Sequence, residues 1–210
     1  MRLVFLGSPG VGKGTQAKRL SKQYSVPQVA TGDMLRAAIS KGTAEGKEAK
    51  SYVDSGRLVP DHLVIRIVQA RLLEDDMRNG FILDGFPRTK EQADALFEMG
   101  VGIDKVLNFY LDEKILVSRI EGRRTCSKCN EIYHMDYHPP VVVGICDRCG
   151  IPLIHRKDDK AAVVKERLIV YQKETAPLTQ YYEKQGCLFH IDANGSVEDV
   201  ARRIQDACRF

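Results

Sequence analysis

The sequence predicts an α/β protein, a parallel β-sheet with helices on both faces, carrying two inserts. Three observations point there. Short apolar runs alternate with helical stretches along most of the 210 residues. A glycine-rich loop, Gly7-Ser-Pro-Gly-Val-Gly-Lys-Gly-Thr15, joins the first apolar run to the first helix. The alternation lapses in only two places, at roughly 30–59 and 122–159. The expected division is therefore a core of 1–29, 60–121 and 160–210, with insert domains at 30–59 and 122–159. Parallel sheets bind ligands at the carboxyl ends of their strands, which is where the motifs below begin.

Arg2 to Leu6 is a short, mostly apolar run that stops at Gly7, as a buried strand does. A helix should follow the loop to about Tyr24, and Val26–Ala30 is expected to be a second strand entered through Pro27. Thr31-Gly-Asp33 opens a helix with Met34, Leu35, Ala38 and Ile39 on one face. Residues 41–59 are small, charged and glycine-punctuated, too poor in large apolar groups to add much core. Pro60-Asp61 is expected to cap a helix with a Leu63, Val64, Ile67, Val68 stripe. Phe81–Leu83 reads as a strand ending at Asp84, Thr89 as a helix start and Lys105–Leu111 as a strand, with Asp112 capping the next helix. From Gly122 to Asp159, Cys, Pro, Gly, Tyr and His replace helical periodicity. A long helix begins at Lys160, and Pro177, lacking an amide hydrogen, should kink or break it. Cys187–Ile191 and Val197–Cys208 complete the pattern as strand and helix.

Composition narrows the function. The chain is 43% hydrophobic and 29% charged, which excludes a disordered or collagen-like protein. Its 32 Lys and Arg exceed its 28 Asp and Glu by only +4, too little to imply nucleic acid. No apolar run approaches the ~18 residues that cross a bilayer. The first residues lack the long apolar region and small-residue cleavage site of a signal peptide. A cytoplasmic protein with neither nucleic-acid nor membrane partners is expected.

Gly7, Gly10, Gly12 and Gly14 lie between strand and helix, where bare backbone amides can converge on an anion at the positive end of the helix dipole. Lys13 adds a mobile charge for terminal phosphates. The Gly7-x4-Gly12-Lys13 spacing fits a phosphate loop. Gly14 displaces the hydroxyl residue one place, to Thr15, so direct Mg²⁺ ligation by Thr15 departs from the strict pattern. Asp84, at a strand end, reads either as a water-mediated Mg²⁺ ligand or as a helix cap. Several arginines stand near the same joints: Arg36, Arg88, Arg119, Arg123, Arg156 and Arg167. Arg119 and Arg123 share a helix face unless Gly122 ends the helix first. Guanidinium groups pair with phosphate oxygens, and phosphoryl transfer depends on such stabilisation. Asp33, Asp158 and Asp159 read as caps or hinge ion pairs.

Cys126-x-x-Cys129 and Cys146-x-x-Cys149 are matched hooks with 16 residues between them. Two such pairs close a tetrahedral, structural Zn²⁺ site; two disulfides are the alternative. Arg123, Arg124, Lys128 and Arg148 are close enough in sequence to offset the thiolate charge. His134 and His138 are not needed as ligands, and Cys187 and Cys208 stand apart.

Together, the loop GSPGVGKGT, Thr31-Gly-Asp-Met-Leu-Arg36, Asp84-Gly-Phe-Pro-Arg-Thr89, Gly122-Arg-Arg124, Arg156-Lys-Asp-Asp159 and Arg167 strongly resemble adenylate kinase, from Arg2 to about Ile204. The resemblance is to the long-lid members whose lid binds zinc. It implies the P-loop nucleoside monophosphate kinase fold, with 30–59 as AMP-binding domain and 122–159 as lid. It also implies reversible transfer from Mg-ATP to AMP giving two ADP, by a monomer with one structural Zn²⁺. By that resemblance Gly10, Val11, Gly12, Lys13, Gly14 and Thr15 would hold the ATP phosphates. Arg119 and Arg123 would face ATP, with Ile132, Tyr133 and the Gly195 backbone on its adenine side. Thr31, Arg36, Arg88 and Gln92 would contact AMP, with backbone from Arg57, Leu58 and Val59 and from Gly85, Phe86 and Pro87. Arg156 and Arg167 would bridge both nucleotides. Kinases for UMP, CMP or GMP, a GTP donor, and a zinc-ribbon nucleic-acid binder are the competing readings. The long zinc lid argues against the first, and the lack of an aromatic-basic stripe against the last.

Overall fold

The computed structural model describes residues 1–208; the final two residues of the expected core segment, 209–210, lie outside the described residues. Five parallel strands form the central sheet in the order β2-β3-β1-β4-β8. They are β1 (Arg2–Gly7), β2 (Gln28–Ala30), β3 (Phe81–Asp84), β4 (Lys105–Tyr110) and β8 (Leu188–Asp192). Side chains alternate between two cores. Val4, Leu6, Leu83 and Val106 face one; Leu3, Phe5, Ile82, Leu107 and Phe109 face the other. Helix α1 (Lys13–Tyr24) covers the second face through Ala17 and Leu20, while α5 (Lys90–Glu98) covers the first through Ala93 and Leu96. The connections leaving the paired strands β1 and β3 thus run to opposite faces. A crevice opens between their carboxyl ends, where Phe5 pairs with Asp84.

The first insert is helical. α2 (Thr31–Lys41) and α3 (Ala44–Ser55) pack together, with Thr43 capping α3 by accepting the Gly46 N–H at 3.1 Å. Leu35, Ala49 and Val59 are its buried apolar contributions, in keeping with its composition. α4 (Asp61–Leu72) buries Leu63, Val64 and Val68. Asp61 does not cap it. Its carboxylate instead accepts the Thr89 hydroxyl at 2.8 Å and Gln92 Nε2 at 2.6 Å, tying α4 to the start of α5. Thr89 and Asp112 do cap α5 and α6 (Glu113–Glu121), accepting from the Gln92 and Lys114 amides.

The second insert holds a separate antiparallel sheet ordered β6-β5-β7, from β5 (Arg123–Cys126), β6 (Ile132–His134) and β7 (Leu153–Ile154). Its buried centre is Cys126, Tyr133 and Cys146. Beyond it, the long helix breaks upstream of Pro177. α7 (Ala161–Val170) passes into a π-turn at Tyr171–Thr175, where the Ala176 N–H reaches back five residues to the Tyr171 carbonyl at 2.9 Å. Pro177 then opens α8 (Leu178–Lys184), where a missing amide hydrogen costs nothing. α9 (Val197–Cys208) is the last element of the described residues. Strand edges differ from the expected ones by a residue or two. β2 starts at Gln28 because Pro27 has no N–H for the ladder and offers only its carbonyl, to the Ile82 N–H. No helix among the described residues is long and apolar enough to cross a membrane.

Candidate active site

The glycine loop closes on itself as its sequence requires. Gly10 and Gly12 have φ of 83° and 102°, and a Cβ on Gly10 would lie 2.5 Å from Ile120 Cγ1. Lys13 Nζ donates to the carbonyls of Gly7 at 2.5 Å and Ser8 at 2.9 Å. Desolvation lowers the Lys13 pKa to about 7, with Asp84 opposing the shift and Arg88, Arg167 and Arg123 adding to it. Asp84 caps no helix: α5 begins six residues later, and the carboxylate accepts Gln28 Nε2 at 3.0 Å. Burial raises its pKa, against the pull of Lys13 and Arg88. Its Oδ2 lies 3.3 Å from where a Gly14 Cβ would stand, so the acid faces the loop. An oxygen donor so placed beside a phosphate cradle fits a hydrated Mg²⁺.

A cavity of about 910 Å³ opens above these groups. The loop residues Gly10, Val11, Gly12, Lys13, Gly14 and Thr15 line it, as do Gly85, Pro87, Leu58, Ile132, Tyr133 and Gly195. So do Arg36, Arg88, Arg119, Arg123, Arg156 and Arg167, from five separate stretches of chain. A second cavity of about 60 Å³ adjoins Arg36 and Arg88 and is lined by Thr31, Arg57, Val59 and Gln92. Of the residues expected to contact nucleotide, Phe86 alone lines neither: it is fully buried in the core. Thr31 Oγ1 donates to the Gly85 carbonyl at 2.8 Å, and Gln92 Oε1 accepts the Arg88 N–H at 2.8 Å. Arg119 and Arg123 do not share a helix face, because Gly122 ends α6 and Arg123 begins β5; they meet across the cavity instead.

Carboxylates organise the arginines. Arg123 makes a two-pronged ion pair with Asp159, and Arg167 lies 3.0 Å from Asp158 and 3.3 Å from Asp159. Asp33 pairs with Arg36 and lies 3.8 Å from Arg156. Burial pulls the Arg156 and Arg167 pKa values down to about 10. Burial opposes the charge on Asp158 too, but Arg167, Arg36, Arg123 and Arg156 outweigh it and hold that pKa low. The three acids are therefore ion-pair partners, the second of their two sequence readings. Arg88 is held by its own Nε to the Gly85 carbonyl at 2.8 Å and by Thr175, whose hydroxyl donates to the Arg88 carbonyl at 2.8 Å. Thr175 and Asp61 carry no motif, so sequence reasoning missed them.

The second insert lies down on the loop: a Gly14 Cβ would be 3.6 Å from Ile132 Cδ1. Lys18 of α1 donates to the Asn130 carbonyl at 2.6 Å and lies 3.6 Å from Glu131, which also takes Arg148 at 3.0 Å. Beneath, Cys126, Cys129, Cys146 and Cys149 place their sulfurs within 4.8 Å of one another, and all four are free thiols. The cluster fits a four-thiolate metal centre, where Zn–S bonds of about 2.3 Å set sulfurs just under 4 Å apart. Of the expected counter-charges, Arg123 and Arg124 are engaged elsewhere, with Asp159 and with the Glu121 and Arg123 carbonyls, while Arg148 pairs with Glu131 and feels the Cys129 and Cys149 thiols. Tyr133 turns its hydroxyl toward Cys146 Sγ at 3.6 Å and accepts the Asp147 N–H at 3.0 Å.

A phosphate loop, a buried acid beside it and a ring of arginines, with an insert packed over the loop, define a nucleoside monophosphate kinase. The adenylate kinase family model matches residues 5–187. A protein named adenylate kinase from Archaeoglobus fulgidus is 51% identical over 98% of this chain and 96% of its own. Others of that name, from Thermodesulfovibrio yellowstonii and Geobacter sp. strain M21, are each 49% identical, the latter over the full length of both chains. The chain belongs to the adenylate kinase family, and its reaction is reversible phosphoryl transfer between ATP and AMP.

Proposed function

We propose that ATP and AMP lie tail to tail in the large cavity, with the phosphoryl group passing between Lys13 and the arginines. The observation that carries this reading is the gathering of seven basic side chains, Lys13, Arg36, Arg88, Arg119, Arg123, Arg156 and Arg167, around one space. The loop amides and Lys13 take the ATP phosphates, with Arg119 and Arg123 beside them. Ile132, Tyr133 and Gly195 flank the donor base. Arg36 and Arg88 take the AMP phosphate, with Thr31, Gln92 and the backbone of 57–59 and 85–88 around the nucleoside. Arg156 and Arg167 span the two. Phosphoryl transfer spreads charge over three equatorial oxygens, and fixed guanidinium groups stabilise it without reorganising. The acceptor is itself a phosphate, largely ionised at neutral pH, so the site needs no general base.

Asp84 would hold a hydrated Mg²⁺ beside the phosphate loop, and the ion would supply charge neutralisation for the donor phosphates. The four cysteines hold one Zn²⁺ that stiffens the 122–159 insert as a lid, which excludes water from the phosphoryl group. The 30–59 insert is the AMP-binding domain and 1–29, 60–121 and 160–210 the core. The protein works as a cytoplasmic monomer without nucleic-acid or membrane partners. Arg88→Met tests the assignment: kcat should fall at least roughly a hundredfold with the fold intact by circular dichroism. Turnover within about twofold of the parent would refute it.

A further inference from the structure

The 194–197 loop after β8, whose last residue, Val197, begins α9, lines the large cavity. Three side chains from three helices hold it by its carbonyls. Arg203 of α9 donates through Nη1 to Asp192 O at 2.8 Å and to Asn194 O. Gln16 of α1 donates through Nε2 to Val197 O at 2.9 Å. Arg119 of α6 reaches both Gly195 O at 3.5 Å and Val11 O of the phosphate loop at 3.4 Å.

Two details show that these ties are specific. A carbonyl can only accept, so the Val197 oxygen fixes which way the Gln16 amide points. Gln16 Oε1 is then left buried without a partner among the described residues. A buried acceptor without a donor costs stability that an apolar side chain of the same size would not. The compensation is a bond from one turn beyond Lys13 to the far wall of the same cavity. Arg203 brings one nitrogen, Nη1, to two carbonyls two residues apart, so a positive charge at that point serves both.

We propose that Arg203 and Gln16 are positioning residues for the donor nucleotide. They hold the 194–197 loop at a fixed distance from the phosphate loop, so that base and phosphates of one ATP are met together. This rests on the proposed placement of the donor base beside Gly195. Neither residue meets the reacting atoms. A loosened loop costs ATP binding equally in ground and transition states, which raises KM and leaves kcat alone.

The test is steady-state kinetics of the full-length, metal-loaded enzyme, varying ATP and AMP separately, for Arg203→Met, Gln16→Met and Arg203→Lys. Each Met variant should raise KM for ATP roughly tenfold, the loss of about one good hydrogen bond. Both kcat and KM for AMP should stay within about twofold. Arg203→Lys should recover most of the loss, since an ammonium still reaches one carbonyl; a general loss of stability would not sort the two substrates in this way. An unchanged KM for ATP in folded Arg203→Met and Gln16→Met, or a fall in kcat alone, overturns the positioning role and leaves the donor placement standing. A rise confined to KM for AMP overturns the donor placement itself.

Discussion

Lys13 sits at the cavity floor with two carbonyls for company and a pKa of about 7, where an ordinary lysine has 10.5. The cause is desolvation first, and the consequence is measurable. Between about 7 and 10.5 the unfolded chain binds a proton that the folded, ligand-free chain lacks, so stability rises with pH across that window. Below 7 both states carry the proton and the slope vanishes. Calorimetric melts of the ligand-free protein should show this increment, and Lys13→Met should lack it. Equal pH slopes in the two proteins would contradict the shift. Bound phosphate reverses the balance by pairing with the ammonium, so ATP binding near pH 8 should take up a proton. Titrations in buffers of different ionisation enthalpy read that uptake. The same substitution should cut kcat by on the order of a hundredfold or more, because it removes charge at the transferring group.

At the scale of elements, the second insert and α1 meet through Lys18, the Asn130 carbonyl and Glu131, and Glu131 also engages Arg148 beside the second cysteine hook. One carboxylate thus joins the core to both hooks. The pairs are partly exposed, so each is worth at most about 1 kcal/mol and is screened by salt. Glu131→Gln should raise KM for ATP up to about fivefold at low salt, and the difference from the parent should disappear near ~1 M NaCl. A salt-independent difference would place the effect elsewhere. What the sequence made legible follows from range. The glycine loop, the cysteine hooks and the strand cores are local patterns, and they appear where expected. Asp61 was misread because a helix-start acid looks alike whether it caps its own helix or bonds Thr89 and Gln92 across a gap of about thirty residues. For Arg119 and Arg123 the sequence leaves two readings, one shared helix face or a helix ended by Gly122, and the structure takes the second. The π-turn before Pro177 left no sequence mark beyond the proline itself.

Across the whole molecule, arginines from the first insert, the core and the second insert share one cavity, and carboxylates from Asp33, Asp158 and Asp159 hold Arg36, Arg123, Arg156 and Arg167 there. The ion pairs span the joints of the second insert, so a rigid insert aligns them as a set. Removing a hook should therefore damage stability before chemistry. Cys129→Ser should lose most of the bound zinc and on the order of 10 °C in Tm, with kcat at moderate temperature much less affected. Metal analysis with melting curves checks it, and lost kcat with zinc and Tm intact would be the opposite pattern. Cys187→Ser and Cys208→Ser, both outside the cluster, should retain the metal.

The most direct measurement is a crystal structure with a bisubstrate analogue, two adenosines joined by a chain of phosphates. The phosphate chain should lie within hydrogen-bonding distance of Lys13, Arg88, Arg123 and Arg167. A chain bound outside that ring, or touching the loop alone, would contradict the account.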